Sequence, residues 1–244
     1  MKHTEKELQV LKEEVSQMWK LVLSQLEKAK QSFLSGDVEM AREIASREKR
    51  VDAFELKIDS DCENYIALYS PVAVDLRLVL SLIKISITLE RIGDFAEGIA
   101  RYVIDNGELR MDNGEVSNNS LSQFSTLNAQ LVEDLQLERM FDTLIGMLSD
   151  SFVALESENT RISGKILSKD DEIDELYRNS LDILTNYMQQ NPAFIRSGLK
   201  TFLLIRKLER IGDHCSNIVE EIVFYVDAKV LKHHFKSGEL RVES

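Results

Sequence analysis

"LERIGD" fills residues 89–94 and returns unchanged at 208–213. A six-residue identity inside one chain points to internal duplication. Sliding the chain along itself until the two copies coincide sets Arg77 on Arg196, Leu80 on Leu199 and Ile99 on Ile218. Around each copy the apolar residues recur at helical spacing. The hexapeptide therefore marks the third helix of each of two similar halves.

The punctuation of the chain supports this. Its 244 residues include only two prolines and ten glycines, so long stretches carry no breaker and read as helix. Ser70-Pro71 and Asn191-Pro192 each place a good capping residue before a proline suited to a first helical turn. Helices are expected from about Glu5 to Leu34, from the turn "SGDVE" (35–39) to Tyr69, and from Pro71 to Asn106. The stretch "NGELRMDNGEVSNNS" (106–120) is polar, holds two Asn-Gly pairs and reads as a linker. Three further helices then run to Leu155, to Gln190, and from Pro192 to Phe235. The fold class is all-α: two tandem three-helix bundles, six long antiparallel helices in all, with residues 1–106 and 121–244 as the repeats and 107–120 between them.

Bulk properties narrow the function. A net charge of −12 without a dense Lys/Arg cluster argues against binding nucleic acid. Two scattered cysteines, Cys62 and Cys215, fit a reducing cytoplasm. The charged start "MKHTEKELQ" predicts no signal peptide, and no run of 18 apolar residues predicts a membrane span.

Converting positions to directions at about 100° per residue locates the acids. On the third helix Arg77, Ser81, Lys84, Thr88 and Arg91 form a polar stripe. Glu90 and Asp94 instead point with Leu76, Val79, Ile83 and Ile87. In the second half Glu209 and Asp213 take the same place, opposite a stripe of Arg196, Lys200, Lys207 and Arg210. The preceding helices carry a matching pair each: Glu48 and Asp52, then Asp170 and Asp174. Other acid-x-x-x-Asp pairs exist, but Glu55 and Asp59 align with Tyr177 and Leu181 and so are not shared between halves. Carboxylates on an otherwise apolar face must be neutralised by protons, by a basic partner or by a metal. Oxygen ligands without histidine suit Mg, Ca, Mn or oxygen-bound iron. The bland reading is a salt-bridge network through Arg91, Arg206 and Arg210. His214 reads as a packed or exposed imidazole before it reads as a ligand, because the first half has Phe95 in its place. No Glu-x-x-His pair of the ferritin type, no nucleophile beside a base and no phosphate-cradling Gly loop is visible, which disfavours an enzyme.

Two such repeats resemble the PhoU family of phosphate-uptake regulators. The likeness rests on "SPVAVDLR" (70–77), "LERIGDFAEGIA" (89–100) and "RKLERIGDHCSNIVEEI" (206–222). The resemblance implies a cytoplasmic, non-enzymatic regulator, often a homodimer, that associates peripherally with the membrane. It implies contact with the ATPase subunit of a phosphate ABC transporter and with a phosphate-sensing histidine kinase, and negative control of uptake and of the starvation response. It further implies multinuclear metal clusters (Fe, Zn, Mn or Mg), one on Glu48, Asp52, Glu90 and Asp94, the other on Asp170, Asp174, Glu209 and Asp213. Gly98 departs from the family's Asn, which Asn217 keeps, and "NPAFIR" replaces its "DLR"-type stretch.

Overall fold

The computed structural model describes residues 3–112, 129–231 and 242–243. The described chain is helical apart from short turns and one two-stranded ribbon. Helix α1 spans His3–Ser35 and buries Leu11, Val15, Met18, Trp19, Val22, Leu26, Ala29 and Phe33 along one stripe. Gly36, at φ 75°, ends it in the left-handed conformation that glycine adopts without strain. Asp37 then caps α2 (Val38–Ser46), its carboxylate accepting the Met40 N–H at 2.9 Å.

The expected second helix is in fact two. A tight turn at Arg47, whose N–H reaches Ile44 O at 3.0 Å, separates α2 from α3 (Glu48–Tyr69). No glycine or proline marks this break. It places Glu48 in a first helical turn, where the helix dipole favours a carboxylate. Ser70 and Ala73 both take positive φ, so α4 starts at Ala73 and Pro71 lies outside it. Helix α4 continues to Asp112, beyond the expected end at Asn106. The start of the expected linker is thus helical, and its remainder lies outside the described residues.

The second half opens with α5 (Ala129–Asp134), turns at Gln136 and continues as α6 (Leu137–Glu156). A short 3-10 turn, Thr160–Ile162, leads into α7 (Ser163–Gln190), and another, Pro192–Phe194, leads into α8 (Ile195–Asp227). Helix α8 stops at Asp227 rather than Phe235, capped by left-handed Ala228. The chain then forms β1 (Val230–Leu231), paired antiparallel with β2 (Val242–Glu243).

Helices α1 to α4 pack as one bundle and α6 to α8 as the other, but one continuous apolar core runs through both. Trp19 of α1 is fully buried and donates its indole N–H to Leu148 O of α6 at 3.2 Å. Phe33 stacks obliquely on Phe141, 5.7 Å between centroids. Helices α4 and α8 run antiparallel against each other. Arg77 donates to Tyr225 O at 3.3 Å, Ser81 to Glu221 O at 3.1 Å, and the Tyr102 and Thr201 hydroxyls meet at 3.2 Å. Part of the polar stripe read on the third helix is therefore the seam between the halves: Ser81 is fully buried there.

The two glycines of the repeated hexapeptide meet similar surroundings. A Cβ on Gly93 would meet Val51 and Gln25; one on Gly212 would meet Ile173 and Leu144, the matching residues of the second half. In both halves the mid-helix glycine lets its helix approach two neighbours at once.

Because Trp19 joins the halves through both its apolar surface and its N–H, Trp19→Ala is expected to cost about 3–5 kcal/mol. Urea unfolding followed by far-UV circular dichroism would read this as a lower midpoint.

Candidate metal centres

In the first half α3 and α4 lie side by side, so acids four residues apart on each helix converge. One carboxylate oxygen from each of Asp52, Glu90 and Asp94 lies within 4.8 Å of the others. Such spacing lets three oxygens share a single cation. The carboxyls register their crowding. Burial raises the pKa of Glu90, and the Asp94 and Asp52 charges add to it. Asp94 is raised mainly by burial, then by Asp52 and Glu97, with Arg91 opposing. Glu48 is raised chiefly by the Glu97 charge, then by burial, Asp52 and Asp94. Arg91 reaches across its own helix to Glu90 at 3.4 Å and Asp94 at 3.7 Å, distances too long for a tight ion pair.

Glu97 is a member of this cluster that the sequence reading passed over. It is buried, and Arg101 holds it with two N–H groups at 2.5 and 2.7 Å on one oxygen. Its spacing was available as a signal, three residues after Asp94. The repeat does not reveal it, because Ser216 stands at the matching place.

That exchange reshapes the second half. Ser216 donates its hydroxyl to Asp170 Oδ2 at 2.7 Å, and Asp170 is buried. Its other oxygen sits over Gly212, where a Cβ would come within 2.6 Å. Asp170 thus turns inward, whereas its counterpart Glu48 stays among the other carboxylates. Glu209 feels Asp213 and Asp174, and burial together with these charges pushes its pKa up to about 7. Arg210 lies 4.0 Å from Asp213. Among the described residues, the three-oxygen convergence of the first half is not matched in the second.

The remaining candidates are packing residues. His214 stacks on Phe95 at 5.6 Å across the α4–α8 seam, and burial with Arg210 and Arg91 lowers its pKa to about 4. Cys62 and Cys215 are buried free thiols, with Cys62 pushed up to about 12 by burial.

The donor set fits a hard cation: carboxylate oxygens only, close together and partly withdrawn from water. Glu48, Asp52, Glu90 and Asp94, with Glu97 behind them, are the residues that would hold one in the first half. Asp174, Glu209 and Asp213, with Asp170 set deeper, would do so in the second.

Fold and site together define a duplicated helical-bundle protein with paired acids on neighbouring helices of each half. The family model of the PhoU domain matches residues 15–103 and again 137–222, and the chain belongs to the PhoU family. It is 32 % identical to the phosphate-specific transport system accessory protein PhoU homolog of Aquifex aeolicus, over 95 % of this chain and 96 % of that protein. It is 31 % identical to the phosphate-specific transport system accessory protein PhoU of Edwardsiella tarda, over 93 % of this chain and 86 % of that one. The crystal structure of PhoU from Pseudomonas aeruginosa superposes with a TM-score of 0.79 at 26 % identity, covering 92 % of this chain and 99 % of that one. The two sequence relatives are named as accessory proteins of a phosphate-specific transport system, and the PhoU family is one of regulatory accessory proteins rather than enzymes. Among the described residues no helix is long and apolar enough to cross a membrane.

Glu209 gives a pH test. Its folded pKa lies above the ordinary glutamate value of 4.5, at about 7, so between these values the folded state keeps a proton that the unfolded state has lost. Stability from this group therefore falls as pH rises through that window. His214 acts oppositely, losing stability as pH falls from 6.5 toward about 4. Comparing wild type with Glu209→Gln separates them: in metal-free buffer the variant is expected to gain stability relative to wild type on going from pH 5 to pH 8, read by urea midpoints.

Proposed function

We infer that this chain is a metal-binding regulatory adaptor that restrains phosphate uptake and phosphate-starvation signalling. It works in the cytoplasm as a homodimer. Its partners are the ATPase subunit of a phosphate ABC transporter and a phosphate-sensing histidine kinase. The observation that carries this reading is the PhoU match over both halves, with the paired acids inside each matched segment. The relatives' names tie them to a phosphate-specific transport system, and nearly the whole chain aligns with them.

The metal part of the reading is supported by the three convergent oxygens of Asp52, Glu90 and Asp94. A divalent or ferric ion (Fe, Zn, Mn or Mg) would neutralise these carboxylates and tie α3 to α4. In that form the acid cluster presents a fixed surface instead of mutually repelling side chains. The competing reading is a metal-free scaffold whose acids are balanced by arginine, and the Arg91 contacts to Glu90 and Asp94 favour it.

Elemental analysis of protein purified without chelator or affinity metal separates the two. The adaptor reading expects bound metal, and thermal unfolding that shifts upward with added Mn²⁺, by about 2.7 kcal/mol at a hundredfold excess over Kd. Glu90→Ala/Asp94→Ala is expected to lose most of that gain and, in cells, to release uptake from control. No metal and an unmoved midpoint would leave the scaffold.

A further inference from the structure

The duplication provides an internal reference against which the second half stands out. On α7 and α8 a set of positions has changed character together. Glu55 and Asp59 of the first half become Tyr177 and Leu181; Lys84 becomes Leu203; Ile87 becomes Arg206. Leu80 and Leu199 are apolar in both. An acidic flank has been exchanged for an apolar and basic one.

These residues share one outer face. Ile195, Leu199 and Leu203 follow at intervals of four along α8 and are 48 %, 54 % and 56 % exposed. Leu181, one turn from the Tyr177 ring that stacks on Phe202, is 42 % exposed and widens the strip onto α7. Toward the C-terminal side the same α8 face continues with exposed Arg206 and Arg210. Within residues 195–210 the cations are Arg196, Lys200, Arg206, Lys207 and Arg210, against Glu209 as the one acid. Five cations and a single acid thus accompany this exposed apolar row, in a chain whose net charge is −12. Single exposed leucines are ordinary, but a contiguous row with a charged border marks an interaction surface.

We propose that the outer face of α7–α8, from Ile195 to Arg210, docks an amphipathic helix of a protein partner, with an apolar row and Asp/Glu flanks. The spacing of four fits side chains of a helix laid along α8. Charge complementarity sets the sign of the partner. A bilayer of anionic lipids fits less well, because Glu209 and Asp213 lie at the edge of the strip and a flat anionic surface would press on them. A helix is narrow enough to lie between. The proposal rests on the adaptor reading, since an adaptor needs such a face, and it adds where the partner sits and what chemistry it brings.

The test measures binding of the full chain to the purified ATPase subunit and to the purified cytoplasmic part of the sensor kinase, with anionic-lipid vesicles and sedimentation velocity alongside. Leu199→Ser/Leu203→Ser is expected to weaken binding of at least one protein partner tenfold or more at an unchanged melting temperature. Arg206→Glu is expected to weaken it comparably and to flatten its salt dependence. Leu56→Ser/Leu68→Ser, exposed apolar residues of the first half, is expected to leave it unchanged. Equal affinity of wild type and strip variants overturns the docking face alone. Wild-type binding to neither protein overturns the adaptor's partners and the face together. Variants that lose vesicle binding instead, or that convert a self-associating wild type to monomer, overturn the helix as occupant.

Discussion

The antiparallel crossing of α4 and α8 is the constraint on which the rest depends. Each is the last helix of its half, and each carries "LERIGD" near its middle. Packing them against each other joins the two bundles through a seam that is polar in part, with Arg77 and Ser81 bonded to backbone carbonyls of α8. A serine hydroxyl or guanidinium buried without a partner would destabilise the fold. Here the partner lies on the other half, so the seam specifies which face of α4 meets α8. With that face fixed, Glu90 and Asp94 must turn toward α3, and Glu209 and Asp213 toward α7.

The acid clusters are then places where the fold works against electrostatics. Burial raises the proton affinity of Glu90, Asp94 and Glu209, with neighbouring carboxylates adding to it, and the Glu97 charge does most for Glu48. Such an arrangement persists because the surrounding core is large enough to hold it. The halves have relieved the strain differently. The first keeps five acids and adds Arg101 on Glu97; the second withdraws Asp170 onto Ser216. Beneath them, Gln25 of the first half is buried with no hydrogen-bond partner among the described residues for either amide atom, where the second half has Leu144. Duplication preserved the backbone and let the two sites drift chemically.

Some elements were legible in residue pattern and others were not. The long helices follow from apolar spacing and the scarcity of breakers. The break at Arg47 and the turn at Gln136 carry no glycine or proline, so only the packing of neighbouring helices produces them. Pro71 looked like a helix start, yet left-handed Ser70 and Ala73 carry the chain around the corner first. Glu97 is not legible as a site member from the repeat, because Ser216 breaks the symmetry at that position.

The sequence by itself determined the helical class, the duplication, the family and the pairing of acids on second and third helices. All of these are local or periodic properties, written in spacing along one helix at a time. Tertiary structure alone decided that Asp52, Glu90 and Asp94 bring three oxygens together while Asp170 turns inward. It also decided that part of the polar stripe of α4 faces α8 rather than water. Distances between residues far apart in the chain depend on how helices cross, and crossing is set by the packing of whole faces, which no single stretch of residues encodes.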